Sequence, residues 1–285
     1  MKEISSTQND QFKYWKTLLR SKGLRESKHF LLSGKKLVQE MLNDKVWNKK
    51  IECILIENVK SSIDAKIQSE SPLQTITSGL ENDSLKGLVI LLQSVLFKEL
   101  DVLGTNGPIL VMQQPELLPW DVAEVPKGLE LLCPFGDPQN LGAVIRTSYA
   151  FGVSSIVLLK EAAHPFLPKS IKASSGAVLK IPLKQGPSIH YFQRVTSRRS
   201  EPNQNHFQVP MFALDLKGAD IESRAWPVKS MRLLLGEEGP GIPEDFIGDR
   251  IYLPMVNPME SLNAAVAAGI VIYHLLKNNG KNKGL

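Results

Sequence analysis

Cysteine is scarce in this 285-residue chain, and histidine is scattered. Cys53 and Cys133 lie far apart, form no CxxC pair and have no histidine placed beside them. A single disulfide stays open, but two reduced, partly buried thiols are the expectation, and no disulfide framework can be built. Five dispersed histidines likewise give no metal-ligand spacing, so no metal site is expected. No apolar run approaches the roughly 20 residues that a membrane span requires. The opening MKEISSTQND has no apolar segment of the kind a secretory signal carries. A cytoplasmic location without membrane association is expected. Several catalytic signatures are also missing: no GxSxG elbow (ASSGA lacks the first glycine), no HExxH and no EF-hand loop.

What is present begins with a core. Hydrophobic residues make up 42% of the chain, enough for one large domain or two ordinary ones. The net charge of +5 is unevenly spread. The first 50 residues hold 12 Lys/Arg against 5 Asp/Glu, so the rest of the chain is slightly acidic. A second basic stretch runs from Lys160 to Ser200 with Glu161 as its lone acid. Two basic blocks on a balanced chain suit a polyanion, held by counterion release rather than by sequence reading. The candidate contacts are Lys13, Lys16, Arg20, Lys22, Arg25, Lys28 and Lys35 in the first block, with Lys169 and Lys172 in the second. Either block taken alone also fits an ordinary solubilising surface.

The periodicity divides the chain. The first block reads as two helices around a short strand, HFLLSG, followed by strands at IECILIE and GLVILLQ. This is a small α/β domain over residues 1–105. Prolines and glycines crowd residues 106–127, which read as a linker with one possible strand at ILVMQQ. From 128 to 285 strands alternate with helices. Strands are expected at 129–134, 154–159, 177–183, 211–216, 231–236 and 251–255, and helices at 140–151, 167–174, 188–199 and 261–277. This alternation predicts a mostly parallel sheet covered on both faces. Residues 196–208 read as a polar loop.

Ligands in such sheets sit beyond the carboxyl ends of the strands. Three loops there attract attention. DPQNLGAVIRT places Asn140 as a possible helix cap and puts Arg146 off the apolar face. GEEGPGIP carries Gly236, Gly239 and Gly241 but no P-loop lysine. Its Glu237 and Glu238 would repel a pyrophosphate while admitting a ligand with hydroxyls, an adenine and positive charge. PMESLNAAVAAG offers Ser261 as a cap and a run of small residues for close packing. Each segment alone also fits a plain structural role.

Their order and spacing are more specific. NLGAVIR, LLLGEEGPGIP and LPMVNPMESLNAAVAAGI resemble the three motifs of the SpoU (TrmH-type) RNA ribose 2′-O-methyltransferases of the SPOUT superfamily. PFLPKSIKASSGAVLKIPL resembles a further family segment. The first domain resembles, less closely, an L30e/L7Ae-like RNA-binding domain. The resemblance implies a SPOUT-type parallel sheet with a C-terminal trefoil knot. It implies a homodimer packed through the knot region and methylation of structured RNA, rRNA ahead of tRNA. S-adenosylmethionine is the implied cofactor, lined by Leu235, Gly236, Glu238, Gly241, Ile251, Leu253, Met255, Ser261 and Leu262. Asn140, Arg146, Glu238, Ser261 and Asn263 match catalytic and RNA-facing positions. The chain departs from the family at Asn257 (usually Gly), Lys172 (usually Arg), Glu237 (commonly small) and Ala265 (commonly Ser). A non-catalytic RNA-binding protein with a degenerate methyltransferase domain is the alternative these departures raise.

Overall fold

The computed structural model describes residues 2–58, 85, 87–192, 209–223, 226, 230–246, 248–257 and 262–280. The chain forms two compact units. The first comprises Met1–Pro115 with Phe166–Lys172. It contains β1 (Lys2–Ile4), α1 (Asp10–Thr17), α2 (Ser21–Glu26), β2 (His29–Leu32), α3 (Lys35–Asn43), β3 (Ile51–Asn58), β4 (Val89–Gln93), α4 (Ser94–Leu100) and β5 (Ile109–Gln113). Asn9 caps α1 by accepting from the amides of Gln11 and Phe12, and Phe12 and Trp15 form the buried face. The sheet order is β1-β4-β3-β5-β2, with β5 antiparallel to both neighbours.

Strand β5 is the possible strand expected at ILVMQQ, inside the stretch 106–127. Ile109, Leu110, Val111 and Met112 are buried, and Leu110 pairs with Leu32 on one side and Ile54 on the other. The strand fills the sheet interior, and the first unit runs on to Pro115.

The second unit comprises Glu116–Pro165 and Ala173–Leu285. Its strands are β6 (Leu118–Pro119), β7 (Gly128–Cys133), β8 (Ser155–Leu158), β9 (Leu183–Gln185), β10 (Met211–Asp220), β11 (Ser230–Leu234) and β12 (Asp249–Tyr252). Its long helices are α5 (Pro138–Phe151) and α7 (Ala264–Gly280); the short α6 (Pro168–Ser174) belongs mostly to the first unit. The sheet order is β12-β10-β11-β7-β8-β9-β6, and every pair is parallel. The parallel sheet expected from the alternating pattern is therefore present.

Two elements differ from expectation. Residues 177–183 are not a strand: Gly176, at φ 79°, leads into a 3-10 turn over Ala177–Leu179, and pairing starts only at Leu183, after Pro182. Proline has no amide to give a ladder. Strand β10 runs beyond the expected 216, and its register against β12 jumps from Leu214 to Ala219. Of the helix expected at 188–199, Tyr191 and Phe192 are helical; 193–199 and the loop at 200–208 lie outside the described residues.

The interior of this unit holds one buried charge network. Arg232 on β11 and Glu130 on β7 are 0% and 1% exposed. Arg232 Nε donates to Glu130 Oε2 at 2.9 Å, and its Nη atoms donate to the carbonyls of Val122 and Glu124 at 3.0 and 2.6 Å. Trp120 Nε1 and Ser155 Oγ also donate to the Glu130 carboxylate. Burial alone would raise the Glu130 carboxyl, but the bonds from Trp120, Arg232 and Ser155 outweigh it and hold the group below its ordinary value. The segment before β7 is thereby fastened to the sheet through its own carbonyls. Burial pushes both thiols, Cys53 and Cys133, up to about 12, so each behaves as a small apolar group. Among the described residues no helix is long and apolar enough to cross a membrane.

Arg232→Met should destabilise the second unit by about 3–5 kcal/mol, because Glu130 then loses its buried partner and keeps only Lys184, at 3.3 Å, as a cation. Adding Glu130→Leu should recover most of that loss. Chemical denaturation of both variants decides the point. The carboxyl is depressed in the folded state, so its stabilisation is present above its ordinary 4.5 and is lost as pH falls through the folded value. Wild-type stability should therefore fall below about pH 4.5 more steeply than that of the double variant.

Candidate active site

Because all strands of the second sheet point the same way, the loops that follow them converge at one edge. A cavity of about 1190 Å³ lies there. It is lined by Phe135 after β7, Leu235 to Ile242 after β11, Leu253 and Met255 after β12, and Leu214 to Lys217 on β10. This is where ligands sit in open α/β sheets.

The loop after β7 leads into α5. Asp137 caps this helix, its Oδ1 accepting from the amides of Gln139 and Asn140 at 2.8 and 2.9 Å. Pro138 occupies the first turn, and Gly152, at φ 79°, closes the other end. The cap is therefore Asp137 and not Asn140, and that frees the Asn140 side chain for another task. Its Nδ2 donates to Glu238 Oε1, while Glu238 Oε2 accepts from the Asp137 amide at 2.8 Å. Asn140 Oδ1 accepts from Asn263 Nδ2 at 3.1 Å. Asn263 in turn caps α7, its Oδ1 accepting from the amides of Ala265 and Val266. The cap expected at Ser261 is thus provided by Asn263. One carboxylate and one amide join the loops after β7, β11 and β12.

The loop after β11 is tightly wound. Glu237 and Gly241 exchange two backbone hydrogen bonds, each 3.0 Å. A Cβ on Gly236 would stand 2.8 Å from the carbonyl carbon of Gly241, so this position accepts only glycine without a backbone shift.

The structure brings most of the expected residues together. Leu235, Gly236, Glu238, Gly241, Leu253, Met255 and Leu262 all line the cavity. Ile251 does not; it is buried in β12. Ser261 lies outside the described residues, as does Pro258. Asn140 lines the cavity and Asn263 is bonded to it. Arg146 is exposed on α5, outside the cavity lining, with no ion-pair partner among the described residues. Asp137, Asp215 and Arg250 also line the cavity and were not anticipated there. The Asp-Pro pair carried a signal for a turn, and nothing in the pattern marked the other two.

Charge in the cavity is mostly negative. Asp137, Asp215, Glu237, Glu238 and Glu244 face Lys217 and Arg250, and Arg250 is already paired with Asp215. Among the described residues no three His, Cys, Asp or Glu side chains are grouped to hold a metal ion. The nine cations singled out as polyanion contacts are all exposed, and all belong to the first unit, Lys169 and Lys172 through the segment Phe166–Lys172. Lys16 and Lys22 are paired with Glu99 and Glu26 there.

Residues 131–273 match the SpoU rRNA Methylase family. A curated relative from Syntrophobacter fumaroxidans, named ribosomal RNA small subunit methyltransferase G 2, is 33% identical over 99% of this chain. The chain spans only 50% of that relative's length. A Bacillus subtilis relative named 23S rRNA (guanosine(2553)-2′-O)-methyltransferase RlmP is 25% identical, covering 96% of this chain and 99% of its own. Among solved structures, an AdoMet-bound rRNA methyltransferase from Sinorhizobium meliloti shares the fold, with a TM-score of 0.71 and 24% identity, covering 97% of this chain and 98% of its own.

Glu238→Gln replaces one acceptor oxygen by a donor facing the Asp137 amide or the Asn140 amide. It should cost about 1–3 kcal/mol of stability in urea titration. An unchanged unfolding midpoint would show that the bridge between the two loops carries no energy.

Proposed function

We propose that this chain, which belongs to the SpoU rRNA Methylase family, uses S-adenosylmethionine to methylate a ribose 2′-hydroxyl in structured RNA, with rRNA the preferred class over tRNA. The observation that carries the reading is the cavity itself. It is large, partly apolar and acidic, and its rim holds the linked Asn140, Glu238 and Asn263. Five carboxylates against two cations disfavour a phosphate-bearing nucleotide and favour a ligand of net positive charge. Ligand pockets usually measure about 300–1,000 Å³, so the volume admits a cofactor with a ribose beside it. The lining residues therefore fit the group. Leu235, Leu253, Met255 and Leu262 would enclose its apolar parts, and the close turn at Gly236 and Gly241 would let backbone groups reach it.

When bound, S-adenosylmethionine supplies an electrophilic methyl on a sulfonium sulfur. The protein's part is placement of the hydroxyl, which converts a bimolecular encounter into an oriented one. Asn140 has one amide hydrogen and one lone pair left after its bonds to Glu238 and Asn263, enough to orient the ribose. Arg146 is not assigned as a base, because a guanidinium carries donors and no acceptor. Its forked guanidinium suits the adjoining phosphate and the charge that develops on the attacking oxygen. Ser261, placed by its match to the third motif, completes the set.

The proposal includes a homodimer. On α5 and α7, Tyr149, Phe151, Val266, Ile270 and Tyr273 are exposed apolar side chains, which a second copy would cover. It also includes the trefoil knot between β11 and α7 and an L30e/L7Ae-like role for the first unit, whose small α/β form and exposed cations suit RNA. The rRNA preference draws on the substrate named for the Bacillus subtilis relative.

Calorimetry with S-adenosylmethionine and its demethylated product should show micromolar binding, and RNA from a deletion strain should lack one 2′-O-methyl mark. Absence of both would end the proposal. Arg146→Ala should lower turnover by about a hundredfold while leaving cofactor affinity intact. Ile270→Asp should give monomers in sedimentation; an unshifted dimer would place the interface elsewhere.

A further inference from the structure

Arg250 is the unexpected residue of the cavity wall. It begins no motif and stands near the start of β12, where an apolar strand residue would serve the sheet. Both terminal nitrogens of its guanidinium are nevertheless engaged. Nη1 donates to the carboxylate of Asp215 on β10. Nη2 faces three carbonyls, those of Pro243 at 2.9 Å, Glu244 at 3.2 Å and Phe246 at 3.3 Å. The guanidinium carbon also lies 5.6 Å from the centre of the Phe246 ring. One side chain thus gathers the stretch after Gly241 and ties it to two strands. Asp215, Glu244, Phe246 and Arg250 all line the cavity.

The loop after β11 is then fastened at three places. Its first half is closed by the paired amides and carbonyls of Glu237 and Gly241. Its middle is anchored by Ile242 and Phe246, which enter the core beside Leu234 and Ala213. The carbonyls between and beside these anchors are held by Arg250 alone among the described side chains. Without it, the carbonyls of Glu244 and Phe246 would turn to water, that of Pro243 would keep only the Phe246 amide, and the wall would sample other shapes. Preorganisation of a wall acts on affinity, since a loop ordered beforehand need not be ordered by the ligand.

We propose that Arg250, held by Asp215, is a positioning residue that sets cofactor affinity by fixing the cavity wall at 243–246. This rests on the S-adenosylmethionine reading given above. The pair is neutral as a unit, so its effect is one of shape. It therefore acts equally on S-adenosylmethionine and on its uncharged-sulfur product. Methionine at 250 keeps the bulk of the stem but none of the donors. Lysine keeps the charge and reaches some of the acceptors.

The test uses the full chain with Arg250→Met, Arg250→Lys and Asp215→Asn. Hydrogen exchange of amides 241–246 without ligand reads the clamp, and calorimetry with both ligands reads its consequence. Arg250→Met should exchange faster there and bind both ligands about tenfold more weakly. Lysine should restore part of the affinity, and Asp215→Asn should fall between. The KM for S-adenosylmethionine should rise with kcat retained at saturation. Unchanged affinity in Arg250→Met, beside a wild type that binds, overturns the inference. A loss confined to S-adenosylmethionine overturns it too, since that would be an effect of charge. If Arg250→Met does not fold, the lysine and Asp215→Asn variants decide by the same readings. A wild type that binds neither ligand removes the methyltransferase reading first and this inference with it.

Discussion

The Glu238 carboxylate is the constraint from which the site follows. It accepts from the Asp137 amide with one oxygen and from the Asn140 side chain with the other. A parallel sheet delivers its loops to one edge but does not fix their mutual distance. A carboxylate shared between two of them does, because both of its acceptors must be matched at once. The amide it orients passes the constraint to Asn263, which is itself locked by capping α7. Three loops separated by long stretches of sequence are thus joined into one edge, which closes this side of the cavity.

Charge is sorted between the two units. The cations suited to RNA lie on the first, and the cavity in the second is acidic. In the proposed reaction the two ligands carry opposite charge, and each meets the surface that attracts it. Arg146 fits the scheme from the second unit: like Lys127 and Lys160, it is exposed, outside the acidic cavity and in no ion pair among the described residues. The phosphate beside the reacting ribose is the kind of group it would meet.

Much of this was legible in the residues. Alternation of strand and helix after 128 marked the parallel sheet, since crossover connections impose that rhythm. The three loops were found because function sits at strand ends. Roles within them were less legible. Asp137 and Asn140 both suit a cap, and only the geometry shows that Asp137 takes the cap and leaves Asn140 free. Ser261 and Asn263 posed the same ambiguity. The strand at 109–113 was legible as an apolar run, but its place in the sheet interior depends on neighbours far away in sequence. Residues 177–183 look like a strand because β-branched and apolar residues alternate there, and Gly176 and Pro182 overrule them. Asp215 and Arg250 had no local signal, because their meaning lies in a pairing between strands 35 residues apart.

Strand β7 pairs early with β8 and late with β11, which lies roughly 100 residues further along the chain. At synthesis rates of about 5–20 residues per second, one edge of an apolar strand stays open for about 5–20 seconds on the ribosome. Such an edge invites pairing with any passing strand. Glu130 sits in the middle of it. Until Arg232 arrives on β11, a foreign strand docking there would have to bury this carboxylate with Lys184 as its one cation and without the buried partner that completes it. The ion pair that fastens the finished sheet therefore also guards the unfinished one, by making the wrong partner electrostatically costly and the right one neutral.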